Sequence, residues 1–213
     1  MALNIFGTFR GGLEIIIHPN RETRTDLGVK DAVVMYYKFA VVPIIFTIVA
    51  SLVVLALLPG VLASLPSTQL LNGSVSLTMA AYEESFVGLI ITPLFIPIAL
   101  LVIAGLIHGV GKTLRLLRGS FSKTFTAVVY AEFASLLFWF AIALGNFGSI
   151  IFLLAVVYGV YVLVVGLAKE HEVSATNAFI AGLIVFILLV IVSSFLLSGY
   201  IAALQSSGAL QPS

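Results

Sequence analysis

The stretch HGVGKTLRLLRGSFSK, residues 108–123, separates two long apolar runs and carries four basic residues, Lys112, Arg115, Arg118 and Lys123, but no acid. A transmembrane helix needs about 20 predominantly apolar residues, and the apolar run on each side of the stretch reaches that length. Basic residues in a short loop between two spans favour the cytoplasmic side of a membrane. The stretch therefore predicts a multi-pass membrane protein in which this loop faces the cytoplasm.

The composition of the whole chain points to the same class. Of its 213 residues, 61% are hydrophobic and 9% are charged, whereas a soluble domain is about 45–50% apolar and about 25% charged. The chain has no cysteine, which excludes a disulfide framework, a thiolate metal site and a cysteine nucleophile. Its net charge of +1 gives no reason to expect nucleic acid as a partner.

The apolar runs predict an all-α fold with five transmembrane helices, at about 39–58, 86–108, 124–144, 149–168 and 175–204. The chain then divides into a cytoplasmic N-terminal segment (1–38), a transmembrane domain (39–204) and a short outer tail (205–213). Pro59 is expected to end the first span, and Ser122 and Ser174 are expected to cap the third and fifth helices.

Residues 3–17 predict a helix with one apolar face, and His18-Pro19 is expected to end it. Two interpretations stay open: an amphipathic helix in the membrane interface, or a helix packed on the cytoplasmic ends of the bundle. The predicted apolar face consists of Ile5, Phe6, Phe9, Leu13, Ile16 and Ile17. Tyr36 and Tyr37 beside Lys38 predict an anchor at the membrane interface.

The distribution of charge predicts the orientation. With five spans, all ten Lys and Arg residues fall on one side of the membrane. The positive-inside rule then places the N-terminus in the cytoplasm and the C-terminus outside.

Glu132 is the one acid within the predicted third span, eight residues or about 12 Å beyond Thr124. An acid at this depth costs a few kcal/mol and is usually paired or faces a cavity. Two interpretations stay open: a proton, cation or substrate site, and a hydrogen-bonded or protonated acid that ties helices together.

His108 and His171 fall at cytoplasmic ends of spans. Together with an acid such as Glu132 they could bind a metal ion, but no HxxxH spacing supports this, and a bond to a loop carbonyl is the favoured interpretation. We therefore expect no metal and no cofactor. For the basic loop at 108–123, a role in topology is favoured over binding of anionic lipid headgroups.

Two blocks of sequence resemble the Yip family of membrane proteins, the Ypt/Rab-interacting proteins and their prokaryotic relatives. The first is Gly105-Leu-Ile-His108, then Lys112, Gly119-Ser-Phe-Ser-Lys-Thr124 and Tyr130-Ala-Glu132; the second is Gly166-Leu-Ala-Lys-Glu-His171-Glu-Val-Ser174. The resemblance implies a five-helix membrane domain with a cytoplasmic N-terminus.

The family's eukaryotic members act in vesicle traffic between Golgi and endoplasmic reticulum and associate with prenylated Rab GTPases and with one another. This chain departs from them in its short N-terminal segment, residues 1–38, and in Ala134, where the family pattern often has proline. The first departure puts binding of a Rab-type GTPase in doubt and favours a bacterial or archaeal member in the cell membrane.

The favoured hypothesis is a non-enzymatic membrane-organising or adaptor protein with a cytoplasmic docking face. Its partners would be the lipid bilayer and either another protein or a second copy of the chain. The alternative is a small transporter or channel with a proton- or cation-linked site at Glu132; an intramembrane enzyme is disfavoured, because no nucleophile and base are paired. The candidate functional residues are His108, Lys112, Arg115, Arg118, Tyr130, Glu132, His171 and Ser174.

Overall fold

A computed structural model describes residues 5–19, 27–63 and 68–206, which form helices and turns without a strand. The residues at 20–26, which hold most of the mixed-charge segment, and the end of the predicted tail at 207–213 lie outside the described residues. The helices are α1 (Ile5–Ile17), α2 (Val29–Ala63), α3 (Thr68–Thr113), α4 (Phe121–Leu137), α5 (Gly145–Glu170) and α6 (Ala175–Ser206), with a 3-10 helix (Trp139–Leu144) before α5.

Five of these helices are long and apolar enough to cross a membrane, which confirms the predicted fold class. The candidate spans are Val29–Val53, Ile91–Thr113, Phe121–Ala141, Gly148–Glu170 and Ala175–Phe195. In the span of α4, 67% of the residues are buried, whereas in the other four spans the share is 17% to 33%. Helix α4 contacts α1, α2, α3 and α5 and is therefore the centre of the bundle.

Several helix ends differ from the predictions. Helix α2 continues past Pro59 to Ala63, because a proline within an apolar helix kinks or loosens it without always ending it. Helix α4 begins at Phe121, so that Ser120 and not Ser122 occupies the N-cap position. The prediction for Ser174 is confirmed, since its Oγ accepts a hydrogen bond of 3.2 Å from the backbone N–H of Asn177.

The N-terminal helix α1 lies against the side of the bundle. Gly12, Ile15 and Ile16 form its buried face, which shares only Ile16 with the predicted apolar face. Phe9 stacks on Phe39 with ring centroids 5.1 Å apart, and Phe39 stacks on Phe133 of α4 at 4.1 Å.

The opposite face of α1 is exposed: Phe6 and Ile17 are 83% and 63% accessible. Phe39 and Phe133 lie about 15 and 18 Å along α2 and α4. Helix α1 therefore packs beside the bundle, at the level of those rings, and not only on its ends.

A pair of tyrosines joins α2 to the proline-containing part of α3. The hydroxyl of Tyr36 donates to the carbonyl of Pro93 at 3.0 Å, and that of Tyr37 donates to the carbonyl of Leu94 at 2.9 Å. Pro97 has no N–H, so the Pro93 carbonyl four residues earlier lacks its usual helical donor. Tyr36 supplies that donor and is fully buried, which makes it a contact between helices and not the predicted interface anchor.

Candidate functional site

Two turns at one end of the bundle are built in the same way. Where α3 ends, the N–H of Leu116 donates to the carbonyl of Gly111 at 2.7 Å. Where α5 ends, the N–H of Val173 donates to the carbonyl of Ala168 at 2.9 Å. Each bond spans five residues, as in the Schellman motif, which needs a left-handed residue just past the helix. Arg115 (φ 58°) and Glu172 (φ 53°) take that conformation here.

A chain of hydrogen bonds joins the two turns. The backbone N–H of Gly119 donates to His171 Nδ1 at 2.7 Å, and Thr124 Oγ1 lies 2.9 Å from both His171 Nε2 and His108 Nδ1. His171 and Thr124 are buried, with accessibilities of 1% and 0%. The bonds connect residues 47 and 52 positions apart in sequence, so they fix the ends of α3, α4 and α5 relative to one another.

The backbone of Gly119 lies so close to the ring of His171 that only glycine fits at this position. A Cβ atom there would lie 2.7 Å from His171 Nδ1 and 2.9 Å from Lys123 Cδ. The lysine can move aside, because its side chain is flexible, but the buried imidazole ring cannot move without losing its bonds.

The network determines the tautomers of both histidines. Because His171 Nδ1 accepts from Gly119, the proton of the neutral ring is on Nε2, which donates to Thr124. The Thr124 hydroxyl then donates to His108 Nδ1, so the His108 proton is on Nε2. For His171, the predicted bond to a loop carbonyl is wrong: the ring accepts from a loop N–H.

The surroundings of His171 favour its neutral form. The pKa of His171 is lowered to about 4, mainly by burial and in smaller part by electrostatic interactions with His108, Lys123 and Lys112. A proton on Nδ1 would also face the Gly119 N–H, and the bond between the two turns would be lost.

The two turns together form a surface that we call the basic surface, residues 112–123 and 169–174. Lys112 Nζ donates to the carbonyl of Arg118 at 3.0 Å, which closes the first turn. The side chains of Lys112, Arg115 and Arg118 are exposed, whereas Lys123 is half-buried. The structure thus brings five of the candidate residues, His108, Lys112, Arg115, Arg118 and His171, to one place, with Ser174 at its edge.

The remaining two candidates, Tyr130 and Glu132, lie deeper along α4. Tyr130 is buried and lines a cleft beside α1. Glu132 is half-buried and close enough to Tyr36 for an electrostatic interaction. It lines neither that cleft nor the apolar groove between α3, α5 and α6.

Within the described part of the chain, no three His, Asp or Glu side chains are grouped so that they could hold a metal ion. Gly119 and Thr124 belong to the network but were not among the candidates predicted from the sequence, although both fall in the first block that resembles the Yip family. A glycine within a basic turn was the available signal, but the sequence does not show which side chain it meets.

The fold and this site define a five-helix integral membrane protein in which hydrogen bonds join two turns at one end of the bundle. Comparison with known families gives a match to the Yip1 domain over residues 37–197. The chain therefore belongs to the Yip family, and the match includes every residue of the network. No curated protein and no solved structure matches the chain.

Proposed function

We propose that this protein is a non-enzymatic membrane-organising or adaptor protein that docks an acidic protein surface on its basic surface. The observation that carries the proposal is the bond from Gly119 to His171, which holds two separate turns together as one surface. A surface that is already ordered loses less conformational entropy on binding than two independent loops.

The charge of the surface indicates the kind of partner. Residues 112–123 hold four basic side chains and no acid, and residues 169–174 add Lys169, Glu170 and Glu172, so the surface has five basic and two acidic side chains. Arg115 and Arg118 are exposed. Charge complementarity speeds association and selects partners more than it adds affinity. An acidic protein surface fits this chemistry.

The proposal includes an orientation, with the basic surface and the N-terminus in the cytoplasm, since loops with an excess of Lys and Arg favour that side. The absence of cysteine from the chain allows a direct test. In intact cells, a single cysteine introduced by Ser120→Cys should resist an impermeant thiol reagent, whereas one introduced by Ser206→Cys should react. The opposite result would refute the orientation.

Crosslinking in native membranes tests the docking role. The double variant Arg115→Glu/Arg118→Glu should lose the crosslinked protein, whereas Arg10→Glu, which reverses an exposed charge on α1, should retain it. Gly119→Ala keeps every charge but disturbs the contact between the turns, so it should also weaken the crosslink. Recovery of lipid alone from the unmodified protein would refute the docking proposal.

A further inference from the structure

A cleft of about 800 Å³ lies between α1 and the first turns of α2, with Tyr130 of α4 as part of its lining. Its volume is within the range of about 300 to 1,000 Å³ that is typical of ligand sites. It lies apart from the basic surface, and none of its lining residues belongs to the network of His108, Thr124 and His171.

The wall on the α1 side is made of small residues, Gly7, Thr8, Gly11 and Gly12. A Cβ atom at Gly11 would meet nothing within 4 Å, whereas one at Gly12 would collide with the ring of Phe39. Gly12 therefore serves the packing of α1 on the bundle, and Gly11 faces open space in the cleft.

The wall on the α2 side carries charge at both ends and apolar side chains between them. Asp31, Val34, Met35 and Lys38 follow one another at helical spacing and share one face of α2. Asp31 and Lys38 lie two turns apart, about 10 Å along the helix. Lys30 and Glu14 add one further charge of each sign, so the lining holds two cations and two anions.

Lys38 is the residue in the cleft that most needs a ligand. It is half-buried and lies in the third turn of α2, within the candidate membrane span Val29–Val53. No hydrogen-bond or ion-pair partner for its ammonium group is found among the residues that the structure describes. Charged groups at membrane depth are almost always paired or face a polar cavity, so the cleft is expected to supply an anionic group.

We propose that this cleft binds the headgroup of a zwitterionic phospholipid with a primary amine, with the phosphate at Lys38 and the ammonium at Asp31. An anionic headgroup would satisfy the lysines but would face two carboxylates. A quaternary amine has no N–H to donate to Asp31. The two methylene groups of the ethanolamine would contact Val34 and Met35, which lie between Asp31 and Lys38 in the lining.

Native mass spectrometry of the full-length protein in detergent tests this inference. The probes are phosphatidylethanolamine, phosphatidylcholine and phosphatidylglycerol with identical acyl chains. Retention of phosphatidylethanolamine should exceed that of the other two by about tenfold, the factor expected from one additional hydrogen bond to a charged group. Equal retention of phosphatidylcholine, or retention of phosphatidylglycerol at or above that of phosphatidylethanolamine, would overturn the proposal.

Variants locate the site. Gly11→Leu should fill the cleft and remove the preference, and Lys38→Gln should reduce the retention of phosphatidylethanolamine about tenfold, because it removes the cation at the phosphate. The matched control is Gly105→Leu, which also adds a side chain where a Cβ meets nothing within 4 Å but lies on α3, outside the cleft. A preference that survives Gly11→Leu, or retention of phosphatidylethanolamine that is unchanged in Lys38→Gln, would overturn the assignment to this cleft.

A soluble competitor separates a membrane lipid from a ligand in solution. Glycerophosphoethanolamine has the same headgroup but no acyl chains, so it should fail to displace the bound lipid. Displacement at comparable concentration would mean that the headgroup alone supplies the affinity, and the ligand would then be a soluble zwitterion and not a lipid.

Discussion

Lowering the pH should loosen the contact between the two turns of the basic surface, because the folded protein holds His171 neutral. Its pKa falls from an ordinary 6.5 to about 4 in the folded state. Between these values the unfolded chain binds a proton that the folded chain does not bind, so the free energy of unfolding decreases as the pH falls. The contribution is fully present above about pH 6.5 and is lost progressively down to about pH 4.

The size of the effect follows from the shift in pKa. One pKa unit corresponds to about 1.4 kcal/mol, so lowering the pKa of His171 from 6.5 to about 4 changes the free energy of unfolding by about 3 kcal/mol between the two pH limits. For a chain of this length, this corresponds to a decrease of about 6 to 12 °C in the unfolding midpoint. Thermal unfolding of the purified protein in a neutral detergent, from pH 7.5 to pH 4, measures it.

A variant assigns the effect to the ring. His171→Gln removes the titrating group, so its unfolding midpoint should depend less on pH than that of the unmodified protein. At pH 7.5 its unfolding midpoint should be the lower of the two. His108→Gln serves as the comparison, because His108 also titrates and lies next to His171. A profile that stays flat in the unmodified protein, or that is equally steep in His171→Gln, would refute the reasoning.

Three further predictions concern stability, measured by thermal or denaturant unfolding in detergent. Tyr36→Phe should lower the free energy of unfolding by about 1–3 kcal/mol, because the buried Pro93 carbonyl loses its donor. The loss should be smaller in a Pro97→Ala background, where the Pro93 carbonyl regains a helical N–H. Equal losses in the two backgrounds would contradict this account. Glu172→Gly should raise the free energy of unfolding by up to about 1 kcal/mol, because glycine adopts the left-handed conformation without strain. A lower free energy of unfolding in this variant would contradict the explanation. Gly119→Ala should cost about 1–3 kcal/mol through the displaced His171, and unchanged stability would contradict the close contact.

The number and character of the helices could be predicted from the sequence because each span is a local property, an apolar run of sufficient length. Local signals also placed two helix ends correctly: Pro19 follows the end of α1, and Ser174 caps α6. The start of α4 was misplaced by two residues, since Ser120 and Ser122 are equally good caps by residue type. Only the surroundings of the turn distinguish them.

The contacts of the site could not be predicted, because they join residues far apart in the chain. Sequence patterns identified His108 and His171 as polar groups at helix ends. No pattern in the sequence indicates that Thr124 lies between the two rings. The same limit applies to Tyr36: its position beside Lys38 suggested the membrane interface, and its bond to Pro93 depends on how α2 packs against α3.

The position of α4 explains why the polar groups of this chain lie where they do. In lipid, a polar side chain is tolerated where other helices shield it or where it lines a cavity, and α4 is by far the most enclosed of the five spans. Thr124, near the start of α4, belongs to the network. Tyr130 lies about 9 Å further along the helix and lines the cleft. If the shielding of α4 is what permits these polar contacts, a polar substitution on the enclosed face should cost less than the same change on an exposed face. Val129→Thr, at a buried position of α4, should therefore lower the free energy of unfolding in lipid bicelles less than Val157→Thr, at an exposed position of α5. The reverse order would argue against shielding as the cause.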